Sequence, residues 1–189
     1  MPLYTPPSTQ GFATWPTPAS TEYFGSSFAY SNSNTATTLN LLNLWPVPIS
    51  ATMTADRIGC NIGTTGSAGA VVRLGIYGST SEYRPGSLVL DAGTLAADAT
   101  TGNKEITISQ SLTAGLYWLA LVSQVATCFV RHSVPVFSNM TTAVNDLTAP
   151  SVQLRGQTGV TGALPGTVTV SGYTSAGNNS IPMVFLRRA

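Results

Sequence analysis

Few side chains in this chain could do acid, base or nucleophilic chemistry. They are one histidine, His132, two cysteines, Cys60 and Cys128, and seven carboxylates. Acyl transfer needs a nucleophile, a base and an orienting acid within hydrogen-bond reach of one another. Cys128 and His132 share a run that reads as a strand. Four residues of strand separate them by about 13 Å, too far for a proton to pass. No Gly-x-Ser-x-Gly elbow occurs, which argues against a serine hydrolase. Glycoside cleavage asks for two carboxylates facing one bond. The acids here are Glu22, Asp56, Glu82, Asp91, Asp98, Glu105 and Asp146, and they are scattered. Asp56-Arg57 reads as a structural pair at a strand edge. Asp91-Ala92-Gly93 and Asn145-Asp146 read as turn chemistry rather than calcium loops. One histidine with two distant cysteines makes no zinc set, and no phosphate-binding glycine loop opens a helix. The expectation is a chain with no catalytic, cofactor-binding or metal-binding residue.

The elements that would position any site are strands. Only 8% of the 189 residues are charged, against about 25% in ordinary soluble domains. The 43% hydrophobic content excludes disorder driven by charge repulsion. Few charges leave little to keep surfaces apart, which fits either a neutral β-protein with Thr/Ser faces or a subunit covered by its neighbours. Eight bases against seven acids give no basic face for nucleic acid. Seven of the bases are arginine, the residue suited to fixed bidentate contacts. The start, MPLYTPPSTQ, does not read as a secretory signal. No run approaches the roughly 20 apolar residues that cross a bilayer. The expected site of synthesis is therefore a cytoplasm, with no membrane insertion.

From Ala70 to Gln124 four β-like runs follow one another: Val71–Tyr77, Ser87–Leu95, Lys104–Ser109 and Leu116–Ser123. Turn residues separate them, at Tyr83-Arg84-Pro85-Gly86, Thr101-Gly102-Asn103 and Thr113-Ala114-Gly115, and none has a helical apolar period. In the first run Val72, Leu74 and Ile76 share a face, opposite Arg73, Gly75 and Tyr77. In the last both faces are apolar, which predicts a central strand with its second face covered. Upstream, Thr38–Leu44 is expected as a short strand ended by Trp45-Pro46-Val47-Pro48, whose prolines suit a sheet edge. Ala51–Ile62 should follow as a strand pointing Ile58, Cys60 and Ile62 inward. Gly63–Gly69 reads as a loop, Thr127–His132 as a further strand and Ser133–Thr148 as a surface loop. Val152–Arg155, Gly166–Ser171 and Ile181–Arg188 are expected to close the fold. Both cysteines have apolar neighbours and read as buried free thiols. Nine or ten short strands with no helical apolar period indicate an all-β, antiparallel β-sandwich, jelly-roll-like in its connections.

Residues 1–37 read as an extended, proline- and aromatic-rich N-terminal arm, and 38–189 as the sandwich domain. Prolines at 2, 6, 7, 16 and 18 disfavour regular structure, and Ser31–Thr38 reads as a hinge. Tyr4, Phe12, Trp15, Tyr23, Phe24 and Phe28 are candidate anchors for a partner, with the prolines lowering the entropy lost on docking. The alternative is an arm that wraps its own sandwich. Tyr173, Asn178 and Asn179 form a candidate ligand loop suited to sugars, although turn-forming explains them as well.

The phrases DRIGCNIGTTGSAGAVVRLGIYG, RPGSLVLDAGTL and KEITISQSLTAGLYWLALVSQ, in this order, resemble β-sandwich domains of structural proteins in tailed bacteriophages. The resemblance spans about Ala51 to Arg131. It implies a non-enzymatic virion component, of tail-fibre, minor-tail or decoration type and commonly homotrimeric. On that reading the arm contacts other virion proteins, and the late loops face a host-surface glycan. Capsid decoration is the alternative, and a free carbohydrate-binding or hydrolytic module a more distant one.

Overall fold

A computed structural model of the protein describes residues 18–25, 29–82, 84–135, 157–168 and 181–189, with backbone alone at 29–33, 133–135 and 181. Eleven strands occur among these residues. In chain order they are β1 (Tyr23–Gly25), β2 (Ala29–Ala36), β3 (Asn43–Ile49), β4 (Met53–Thr64), β5 (Val71–Ser79) and β6 (Pro85–Ala96). There follow β7 (Gly102–Leu112), β8 (Gly115–Gln124), β9 (Phe129–Pro135), β10 (Ile181–Pro182) and β11 (Val184–Arg188).

The pairing is that of a rolled-up ribbon. β5 pairs with β6, β4 with β7, β3 with β8 and β2 with β9, all antiparallel. Two further contacts, β5 with β8 and β4 with β9, join these pairs into two facing sheets. This is the jelly-roll winding of two Greek keys, and the expected antiparallel sandwich is what the chain forms. Sheet B is ordered β3-β8-β5-β6. Sheet A holds β7, β4, β9 and β2, widened by β1, β10 and β11. The C-terminal strand changes partner at Met183: β10 lies on β9, and β11 crosses to β4. Counting β10 and β11 as one interrupted strand, the sheets have six and four members.

Period-two alternation builds the core. Ile58 and Ile62 of β4, Val72 and Leu74 of β5, and Leu119 of β8 are wholly buried between the sheets. Burying each such side chain is worth about 1.5–3 kcal/mol. Cys60 and Cys128 lie in the same core as free thiols, as expected, and burial pushes the Cys60 thiol up to about 12.

The covered second face of β8 is also present. Trp118, Ala120 and Val122 pack with Leu42, Leu44 and Tyr77 under a strap formed by residues 157–168. Val160 and Leu164 are the strap's apolar contribution. Polar side chains of the sheet fasten it. Gln124 donates to the carbonyls of Val160 and Gly162 at 3.0 and 2.7 Å. The Tyr77 hydroxyl donates to Pro165 at 2.9 Å, and Asp91 accepts the Leu164 N–H at 2.9 Å. Gly75 is bare because Leu164 lies over it: a Cβ there would stand 2.2 Å from Leu164 Cδ1 and 2.6 Å from the Leu90 carbonyl.

Several expectations need correction. Within the expected arm of residues 1–37, β1 and β2 are members of sheet A, while 1–17 and 26–28 lie outside the described residues. No proline lies between 19 and 37, and the Ser/Asn run that suggested a hinge serves a strand paired, among the described residues, with β9 alone. Residues 38–42 form a turn instead of a strand, and β3 runs through both prolines. Pro46 and Pro48 are two apart, so both positions lacking an N–H face the open edge of sheet B, away from β8. Asp91 is not in a turn. It sits within β6, beside a register shift, and Gly93 takes a φ of +93°. Of Gly166–Ser171, Thr167 makes a single bridge to Ser87 and nothing beyond 168 is described. Val152–Arg155 and most of Ser133–Thr148 also lie outside the described residues.

Candidate functional site on the outer face of sheet A

The strap covers sheet B, whereas the outward face of sheet A carries a shallow cleft of about 270 Å³. Strand parity selects its residues. Ile58, Cys60 and Ile62 point inward on β4, so Gly59 and Asn61 face out. Asn103 and Glu105 are the outward residues of β7, and Phe185 that of β11, whose Val184 and Leu186 enter the core. Registry brings them together: Gly59 pairs with Glu105 on one side and Phe185 on the other, and Asn61 pairs with Asn103. β1 adds Tyr23 at the rim, paired with Arg187.

Gly59 is the floor of the cleft. A Cβ at that position would lie 2.5 Å from the Lys104 carbonyl and 3.1 Å from Glu105 Cγ, so the backbone is necessarily bare here. Tyr23 and Phe185 supply aromatic surface on one side, with Tyr23 about half exposed. On the other side Asn61 Nδ2 donates to Asn103 Oδ1 at 2.7 Å.

The charged groups around the cleft are engaged with one another. Tyr23 donates its hydroxyl to Glu105 at 2.5 Å, and this bond raises the phenol's pKa, keeping it protonated. Arg57 lies 4.0 Å from the other Glu105 oxygen. Arg187 grips Asp56 with two hydrogen bonds of 2.9 and 2.6 Å, which lower the Asp56 pKa despite the opposing cost of burial. The same guanidinium stands 5.9 Å from the centre of the Tyr23 ring. Lys104 donates to Thr100. The expected Asp56–Arg57 pair is loose at 3.8 Å, and the close partner of Asp56 is Arg187, 131 residues away. A protonated phenol and an arginine-bound carboxylate are poor nucleophiles. What the face offers is hydrogen bonds beside an aromatic wall.

The candidate residues of the sequence are placed as follows. Tyr23 lines the cleft. Phe24, partly buried, packs against the chain's own core. Tyr4, Phe12, Trp15, Phe28, Tyr173, Asn178 and Asn179 lie outside the described residues. Asn61, Asn103 and Phe185 were not expected in a site, and Glu105 only as one of the scattered acids of the distant hydrolytic reading. The available signal was Gly59, a glycine inside an otherwise well-patterned strand, which marks a bulge or a close approach. His132 is buried, its Nδ1 2.7 Å from the Val130 carbonyl, and burial lowers its pKa. Among the described residues no three His, Cys, Asp or Glu side chains group to hold a metal ion.

No protein-family model, curated protein or solved structure matches the chain.

Proposed function

We propose that the chain is a non-enzymatic structural protein of a tailed-bacteriophage virion, a tail-fibre or receptor-binding subunit attached by its N-terminal segment and assembled as a homotrimer. One observation carries the reading. The phrases that resemble phage structural proteins fall on β4 to β8, so the resembling stretch and the centre of the jelly roll are the same object. Low surface charge supports the reading, because sheet faces with few charges can be buried between subunits. The strap closes the outer face of sheet B, while the cleft leaves that of sheet A open to a ligand.

Adsorption tests this reading. Purified protein added to host cells should bind them and block infection by the phage that carries it. A protein that binds no cells at high concentration, yet restores heat resistance to capsids lacking it, would replace this reading with the decoration one.

A further inference from the structure

We infer that the cleft between Tyr23, Phe185 and the Asn61–Asn103 pair binds a neutral sugar, holding two adjacent hydroxyls on the amides and the apolar face of the ring on the aromatics. The inference rests on the receptor-binding reading for the source of the sugar, and on the cleft alone for its chemistry.

The amide pair is the central feature. Asn61 uses its NH2 and Asn103 its carbonyl in their mutual bond. Asn61 Oδ1 and Asn103 Nδ2 take no part in that bond and remain an acceptor and a donor on paired positions, beside the second N–H of Asn61 and the second lone pair of Asn103 Oδ1. A hydroxyl is both donor and acceptor, so two neighbouring hydroxyls complete this pair, one donating to Asn61 and one accepting from Asn103. An anion would meet an acceptor where it needs a donor, and a cation would meet a donor.

Charge points the same way. Glu105 is held by Tyr23 and flanked by Arg57, Asp56 by Arg187, and Lys104 is turned to Thr100. The two carboxylates and two arginines around the cleft, Asp56, Glu105, Arg57 and Arg187, balance one another, which favours an uncharged ligand, while Lys104 sits at the inward parity of β7, opposite Cys60. The apolar bodies of Tyr23, half exposed, and Phe185, partly exposed, suit the C–H face of a pyranose. The cleft, at about 270 Å³, is smaller than the roughly 300–1,000 Å³ of drug-sized sites and suits one ring.

The test uses the whole chain, labelled with nitrogen-15 and titrated separately with glucose, galactose and N-acetylglucosamine up to about 100 mM, enough to see millimolar binding. At least one sugar should shift the side-chain amides of Asn61 and Asn103 and the backbone signals of Gly59 and Glu105. Asn103→Ala, on an exposed position of an edge strand, should weaken that binding at least about fivefold, the value of one hydrogen bond. Ser109→Ala, outward on the same strand but beyond the cleft, should bind as the parent does. Absence of shifts with all three sugars, or full binding by Asn103→Ala, overturns the inference. Cell adsorption separates the two readings. Adsorption undiminished in Asn103→Ala overturns the cleft as the receptor site while leaving the receptor-binding reading standing. Sugar shifts without adsorption by the parent chain overturn the receptor-binding reading and leave the cleft.

Discussion

His132 shows what one buried side chain does to this molecule. It is the chain's single histidine, enclosed in β9, and burial lowers its pKa although the Val130 carbonyl partly opposes this. In the unfolded chain it titrates near 6.5. Above that pH neither state binds the proton, and stability is at its full value. As pH falls below it, the unfolded state takes up a proton that the folded state refuses, so stability declines until the lowered folded pKa is reached. Urea midpoints should therefore fall between pH 7.5 and pH 5. His132→Gln, which keeps an N–H for Val130 but does not titrate, should flatten that slope. A parent midpoint that does not change over this window would contradict the account of His132. The residue expected to be idle in catalysis thus has a different consequence, acid sensitivity.

At the scale of elements, the strap of residues 157–168 depends on a few polar anchors. Asp91 is the most connected. It accepts from the N–H groups of Leu164 and Gly93 and from Arg73 at 2.8 Å. Burial alone would raise its pKa, but these hydrogen bonds outweigh burial and hold it below the ordinary carboxylate range. Its stabilisation is present above about 3.8 and is lost as pH falls through the lower folded value. Asp91→Ala should cost about 2 kcal/mol, since it strands buried donors. Amide exchange should speed up at Leu164 and Val160 more than at Leu74, beneath the strap in the inter-sheet core. Uniform acceleration across the three would mean that the strap is not a separate unit.

This element also shows where sequence reading stops. β5 and β8 were legible because their alternation is regular and their apolar residues fill a core. The second apolar face of β8 announced a cover. The identity of that cover was not legible, because residues 157–168 carry only two buried apolar anchors, Val160 and Leu164, 4 residues apart in an irregular segment. β1 and β2 were missed for a related reason. The Ser/Asn content of β2 signals a linker and β1 has only 3 residues, and only their pairing with β9 and β11, distant in the sequence, makes them strands. The cleft was hidden further still, as its residues come from four strands and meet only through registry.

At the scale of the whole molecule, the winding assigns different tasks to the two faces. Sheet B is closed by the strap, and its edge strand β3 is protected by two prolines. Sheet A receives both β1 and the C-terminal β11, and its cleft is formed where those late additions meet β4 and β7. The jelly roll itself was legible in its class from strand count and turn residues. Its widening by the two chain ends was not, since single-strand patterns carry no record of partners. On the proposed virion reading, it is the open face of sheet A that would meet a ligand.

The central claim is that the chain is a receptor-binding part of a virion. Antibody labelling of purified phage particles, viewed by electron microscopy, tests it most directly. The account predicts label at the distal end of the tail. Particles carrying no label there, whether bare or labelled on the head, would contradict it.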